Sequence, residues 1–271
     1  MKHFQTTPAD QEHHIGLFSL GDIPGLTAIN SNITDSHNGI SFGSCSTLES
    51  VSYPLLGNVG PTIGYVAFTN CSALSVIDFP ALQNVSASVI VEQCPAITAL
   101  NFPLLLQVLG FSSANNPACV SINLPILSVA ASIMIGVAFG TGAANDGALT
   151  SVTLDVLSAA SVLQVEQCSA LTSLSFPQLI STSTSLKLSH CTSLTAIYLP
   201  LWLPVDGQQV ICSDNALDQT SVDLILARCV ANAAFVSGAV SLDGGTNATP
   251  SASGLTDKAT LTGRGVTVLT N

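Results

Sequence analysis

Apolar residues recur along this chain in a fixed rhythm. Ile40 and Phe42, Val66 and Phe68, Val89 and Val91, Leu163 and Val165, Leu186 and Leu188, and Val210 and Cys212 each sit two apart, the period of a half-buried strand. Three residues after each pair stands an anchor that is Cys, Asn or Asp, and apolar residues return three, six and eight residues later, as Leu171, Leu174 and Phe176 do after Cys168. CSTLESVSYPLL from Cys45, CSALSVIDFPAL from Cys71, CPAITALNFPLL from Cys94, CSALTSLSFPQL from Cys168 and CTSLTAIYLPLW from Cys191 are copies of one unit. NPACVSINLPIL from Asn116 and DGALTSVTLDVL from Asp146 keep the same phase. The anchors Cys45, Cys71, Cys94, Asn116, Asp146, Cys168, Cys191 and Asn215 are spaced 26, 23, 22, 30, 22, 23 and 24 residues apart. A period in this range predicts stacked coils, with one short strand per coil building a parallel sheet along the stack.

The anchor turns inward just after that strand, where its side chain can satisfy main-chain groups of the turn; an unpaired buried amide there costs about 1–3 kcal/mol. Pro after Phe or Leu closes the second extended segment without leaving an N–H unused. The unit from Asn116 to Asp146 is seven residues longer than 23, and its Gly-rich tail predicts a loop or widened coil over 136–145. After Asn215 the rhythm becomes helical. LDQTSVDLILARCVANAAF predicts a helix over about 219–233, with Asp218, Thr220 or Ser221 as N-cap. GAVSLDGG reads as a strand, PSASGLTDKATLTGRG as a second helix and VTVLTN as a last strand. Three regions follow: a polar N-terminal arm over 1–16, a solenoid over 17–215 and helical capping repeats over 216–271.

The pattern LxLxxC or LxLxxN followed by LxxLxFPxL resembles the leucine-rich repeat family, in its short bacterial surface-antigen and receptor L-domain-like forms, over nearly the whole chain. The resemblance implies the α/β class: a right-handed leucine-rich-repeat β-solenoid of about 10–11 coils, mostly β, with two C-terminal helices in the capping coils. The ending, NAL followed by SVDLIL, SLDGGTNATPSA and GRGVTVLTN, is similar to the closing segment of leucine-rich repeat proteins of tailed phages and bacterial genomes. That likeness implies a structural or adhesive role and no catalytic residue.

Charge narrows the partners. Only 8% of residues are charged, about a third of the usual share, and five basic against 16 acidic residues leave a formal charge of −11. With no Lys or Arg between Lys2 and Lys187, the chain lacks the clustered cations that nucleic acid, anionic bilayers or acidic polysaccharides require. The 53 residues between Glu92 and Asp146 carry no charge, yet Asn123, Pro125 and several Ser interrupt them and no basic residue flanks them, which argues against membrane insertion. The opening MKHFQTTPADQEHH has no apolar core of a secretion signal.

Eight cysteines would suggest disulfides in a secreted protein, but five occupy one inward repeat position. Stacked coils hold those side chains parallel, a poor geometry for the bond, so buried free thiols and folding in a reducing cytoplasm are expected. Cys119, Cys212 and Cys229 replace small hydrophobes.

Catalytic patterns are weak. His190 and its neighbour Cys191 face opposite sides, so they cannot act as a pair. Glu92 and Glu166 hold equivalent repeat positions three coils apart, about 14 Å and too far for a glycosidase pair. Asp10, Glu12, His13 and His14 are read as a solvated arm rather than a metal site. No metal, cofactor or catalytic residue is expected.

Function then rests on surface. The outward residues of the main strands and the two before each anchor would line the concave face: Thr69, Asn70, Glu92, Gln93, Asn115, Glu166, Gln167, Lys187, His190 and Asp214. Among them Glu92, Gln93, Asn115, Glu166, Gln167, His190 and Asp214 are the candidate binding residues. Their amides and carboxylates suit a neutral glycan or protein receptor on a host surface, although any solvated sheet face has a similar composition. The expectation is a non-enzymatic structural or receptor-binding component of an extracellular assembly such as a phage virion, with protein partners in that assembly and room for a homo-oligomer. The alternative is a stand-alone bacterial interaction module or adhesin at the cell surface.

Overall fold

The computed structural model describes residues 2–5, 18–61, 64–138, 142–143 and 146–271. Its backbone is a mostly β, parallel solenoid. The main sheet runs through eleven strands in chain order: Phe18–Leu20, Gly39–Gly43, Tyr65–Thr69, Asn84–Glu92, Gln107–Ala114, Val129–Ile135, Ala159–Glu166, Ser181–Ser189, Gln209–Ile211, Ala239–Leu242 and Thr267–Thr270. From the first of these to Gln209–Ile211 the chain makes eight β-only turns, and two helical connections complete the stack.

Alternation explains the register. Ile40, Val66, Val89, Phe111, Ile133, Leu163, Leu186, Val210 and Val240 align rung on rung and are fully buried. A slip by one residue would turn this entire column to solvent, so burial fixes the pairing. A second inward column runs Phe42, Phe68, Val91, Ser113, Ile135, Val165 and Leu188. Phe42 and Phe68 stack at 5.4 Å between ring centroids. Ser113 is the one polar member of that column.

Each coil carries more than the single strand that hydropathy predicts. After the anchor comes a three-residue strand, among them Ser50–Ser52, Val76–Asp78, Ala99–Asn101, Ser121–Asn123, Ser151–Thr153, Ser173–Ser175 and Ala196–Tyr198, paired in short parallel ladders. A third side is made by Asp35–Ser36, Asn58–Val59 and the first residues of the long main strands, which bend through irregular register between Val85 and Ser88 and between Ala160 and Val162. The post-anchor strand is the second extended segment that Pro is expected to close, whereas the third side is hidden because its strands Asp35–Ser36 and Asn58–Val59 are too short to read as alternation. The Pro-containing corners close as turns: Leu82, Leu105 and Leu179 donate their N–H groups to Phe79, Phe102 and Phe176.

The C-terminal coils swap a strand for a helix. Helix α1 spans Gln219–Ala231, and its N-cap is Asp218, whose Oδ1 accepts the Ser221 N–H at 2.7 Å. It buries Val222, Ile225, Leu226 and Cys229 against the coil end. Helix α2 spans Ala252–Arg264 and is capped by Ser251 and by Gly265 at φ 101°. It buries only Gly254 and Leu261, so it lies over α1 through a glycine contact: a Cβ at Gly254 would overlap the Asp223 carboxylate. Neither helix is long and apolar enough to cross a membrane among the described residues.

Of the arm over 1–16, Lys2–Gln5 pairs parallel with Leu26–Asn30, and Asp10, Glu12, His13 and His14 lie outside the described residues. In the long coil Val137–Ala138 pairs antiparallel with Gly142–Ala143; residues 139–141 and 144–145 of the expected loop lie outside the described residues.

Candidate functional site

The anchors form a continuous interior ladder. Asn116 Oδ1 accepts the Cys94 N–H at 2.9 Å, and its Nδ2 donates to the Val91 carbonyl at 2.8 Å. Asn215 repeats this arrangement on Cys191 and Leu188. Where the anchor is cysteine, the weaker S–H faces the equivalent carbonyl of the preceding coil and the carbonyl two residues back: Phe68 and Glu92 for Cys94, Val165 and Ser189 for Cys191. The ladder continues past the eight anchors. Asn247 Oδ1 accepts the Leu217 N–H while Nδ2 donates to the Cys212 and Leu242 carbonyls, and Asn271 donates to Gly244 and Asn247. The repeat spacing stops short of Asn247 because α1 lengthens that coil.

All eight thiols are buried and free. Burial pushes the Cys119 and Cys212 thiols up to about 12, so they stay protonated at neutral pH. The described residues contain no group of three or more His, Cys, Asp or Glu arranged to hold a metal ion.

Immediately before seven of the eight anchors the backbone turns left-handed. Ser44, Asn70, Gln93, Asn115, Gln167, His190 and Asp214 have φ between 56 and 58°. This conformation is costly for most side chains and is tolerated best by Asn, Asp and Gly. Five of the seven candidate binding residues, Gln93, Asn115, Gln167, His190 and Asp214, therefore owe part of their polar identity to the turn itself. The remaining two, Glu92 and Glu166, end their strands in half-buried positions. Sequence reasoning had no access to this cause, although one polar residue before every Cys or Asn anchor was its visible trace.

The structure brings some of these side chains together. His190 Nε2 lies 3.3 Å from Asp214 Oδ2, on adjacent coils, with both side chains about half exposed. Asn70 Nδ2 donates to Ser44 Oγ at 3.3 Å, and Ser112 Oγ to Glu92 Oε1 at 2.8 Å. Glu92 and Glu166 stay apart, since Glu92 pairs with Ala114 and the Gly136 coil separates that rung from Glu166. His190 points outward while Cys191 is sealed inside, so the adjacent pair does not meet. Asn70, Gln93 and Asn115, with Ser72, Pro95 and Pro117, line an open groove of about 510 Å³ along this edge of the sheet.

The outer face beside that edge is mixed. Its middle column runs Ser41, Ala67, Ile90, Ser112, Met134, Gln164, Lys187, Ile211 and Ser241, alternately small, apolar and polar. Lys187 is the single cation in it. Ala67 and Ser112 are buried within it, and its partly exposed apolar members are Ile90, Met134 and Ile211. No protein-family model, curated protein or solved structure matches the chain.

Proposed function

We propose that the chain is a right-handed solenoid of the leucine-rich repeat type and a non-enzymatic structural or receptor-binding component of an extracellular assembly such as a phage virion. The observation that supports this reading is a face of parallel strands stacked in chain order, edged by the turn residues that precede seven of the eight anchors. Each coil adds its own outward residues to that face, so recognition is spread along the stack instead of focused in a cavity. Amides and carboxylates at the edge suit a neutral glycan or a protein surface. The shortage of cations disfavours nucleic acid.

The test is binding to host cells by the wild-type chain and by a variant carrying Glu92→Ala, Glu166→Ala, His190→Gly and Asp214→Gly. Glycine is used at the last two because alanine would strain a left-handed backbone. If the face makes buried hydrogen bonds to a receptor, the variant binds more weakly by about 1–3 kcal/mol with unchanged circular dichroism. Equal binding by both sinks the receptor role of this face. Absence of the chain from purified particles sinks the virion role and leaves the stand-alone adhesin.

A further inference from the structure

The groove beside Asn70, Gln93 and Asn115 carries the repeat of the solenoid in its own hydrogen-bonding groups. The Asn70 N–H donates to the Glu92 carbonyl and the Gln93 N–H to the Ala114 carbonyl, each at 2.9 Å, so the three residues stand on consecutive rungs. Their φ angles of 56, 57 and 56° are nearly identical, which starts the three side chains from the same turn in the same direction. Stacked strands lie about 4.8 Å apart, and the carboxamides inherit that spacing. A carboxamide both donates and accepts, as a sugar hydroxyl does. The run is bounded at both ends. Below Asn70 stands the shorter Ser44, whose Oγ accepts from Asn70 Nδ2, and past Asn115 the next coil makes its left-handed turn at Gly136, which has no side chain.

The lining changes chemistry at the same place. One residue past the anchor, other coils carry Ser46, Ser72, Gly147 and Ser169, whereas the coils of Cys94 and Asn116 carry Pro95 and Pro117. Both prolines are exposed and line the groove with the carboxamides. Proline brings a rigid apolar ring and no N–H that needs a partner. Hydrogen-bonding groups in a row beside hydrocarbon rings match a pyranose chain, which shows C–H groups on its ring faces and hydroxyls at its rims.

Charge and spacing choose among polymers. No Lys or Arg stands between Lys2 and Lys187, so an acidic glycan finds no counter-charge on these coils. A polypeptide strand laid along the stack would turn side chains to one side only every ~6.7 Å, out of step with rungs ~4.8 Å apart. One ring of an extended β-1,4-linked glycan advances by nearly one coil. We propose, resting on the receptor-binding reading of this face, that the groove binds an extended neutral glycan along the stack, one pyranose ring per rung over Asn70, Gln93 and Asn115.

The experiment titrates the chain calorimetrically with cello-oligosaccharides of increasing length, and with the longest of them after its hydroxymethyl groups are oxidised to carboxylates. Affinity should climb with each ring up to three and then level off, and the oxidised sugar should bind about 10-fold more weakly or worse. A variant carrying Asn70→Gly, Gln93→Gly and Asn115→Gly keeps the left-handed backbone and should lose roughly 10-fold or more in affinity with unchanged melting. Pro95→Ser with Pro117→Ser, which copies the residue type of Ser72, should also weaken binding and decides the matter if the glycine variant does not fold. Affinity that is equal in wild type and the folded variants, or that favours the oxidised sugar, overturns the proposal. Host-cell binding without any binding of the cello-oligosaccharides overturns it too and leaves the receptor reading standing, with a polypeptide as occupant if protease treatment of the cells abolishes that binding. Absence of both removes the receptor reading together with the glycan.

Discussion

Asn215 Oδ1 accepts the main-chain N–H of Cys191 at 2.8 Å from the next coil, while its Nδ2 reaches the carbonyls of Leu188 and Cys212. One side chain thus satisfies three main-chain groups that are shut off from water on two successive coils. Asn215→Ala removes the partner of the Cys191 N–H and of the Leu188 carbonyl, while the Cys212 carbonyl keeps Asn247 Nδ2, and should lower stability by about 3 kcal/mol, since each buried orphan costs about 1–3 kcal/mol. Cys94→Ser should cost far less, because a hydroxyl donates to the same Phe68 and Glu92 carbonyls. Cys94→Arg should prevent folding, since a fully buried position has no room or counter-charge for a guanidinium. Thermal melting followed by the fluorescence of the single tryptophan, Trp202, which is buried, ranks the three.

The left-handed column before the anchors makes a separate prediction. Gln93 sits at φ 57°, where a β-branched side chain crowds the following carbonyl. Gln93→Val should destabilise by about 1–2 kcal/mol, and Gln93→Gly should be close to neutral. Urea titrations of the two variants separate a turn requirement from a solvent-exposed position, where both changes would be small.

Sequence pattern reports structure where burial forces a choice. Ile40 through Val240 must be apolar because they stack in one sealed column, and that column is visible as a period of about 23 residues. The anchors were legible for the opposite reason: the interior turn demands a small hydrogen-bonding side chain, and Cys, Asn and Asp meet that demand. What hydropathy does not encode is backbone sign. Asn115, His190 and Asp214 are candidates for a ligand by polarity, and the left-handed turn is a second cause of the same polarity. Ser113 broke the apolar pattern at an inward rung, and its reason emerged only when the fold placed it 2.7 Å from Asp146, 33 residues away.

Thiol chemistry offers a check on the interior. The eight cysteines are buried and unpaired, and burial raises the Cys119 and Cys212 thiols to about 12. A thiolate-seeking reagent should label the native protein at least on the order of 100-fold more slowly than the unfolded chain, with all eight sites available after denaturation. Mass spectrometry of alkylated protein reads this directly. Fast native labelling of several cysteines would contradict the ladder.

Asp206 links the C-terminal coils. Its Oδ1 accepts the N–H groups of Val236 and Ser237 and the Ser237 hydroxyl, and those bonds, led by Val236, hold its carboxyl below the ordinary value of 3.8. A depressed folded-state pKa contributes stability that is present above the unfolded value and lost as pH falls through the folded one. Asp206→Ala should therefore be less stable than wild type at neutral pH, with the gap closing below about pH 4. Parallel melting profiles of the two proteins between neutrality and acid would show that the carboxylate is not what ties the 236–237 turn to its neighbour.

Gly136 is where the chain leaves the regular coil. Its φ of 73° already excludes most side chains, and a Cβ there would overlap the Glu166 carbonyl oxygen on the next coil while lying 3.2 Å from the Cys168 sulfur. The overlapping atom belongs to a paired strand, so relief requires the Ala159–Glu166 strand to move away and break its pairing with Val129–Ile135. Two independent costs then add at one site: left-handed strain of about 1–2 kcal/mol and steric expulsion of about 1–3 kcal/mol. Gly136→Ala should lower stability by roughly 2–5 kcal/mol, whereas Gly263→Ala, in a helix with open space around it, should be neutral or slightly stabilising. Equal melting temperatures for the two variants would mean that the insertion does not leave the sheet at this residue.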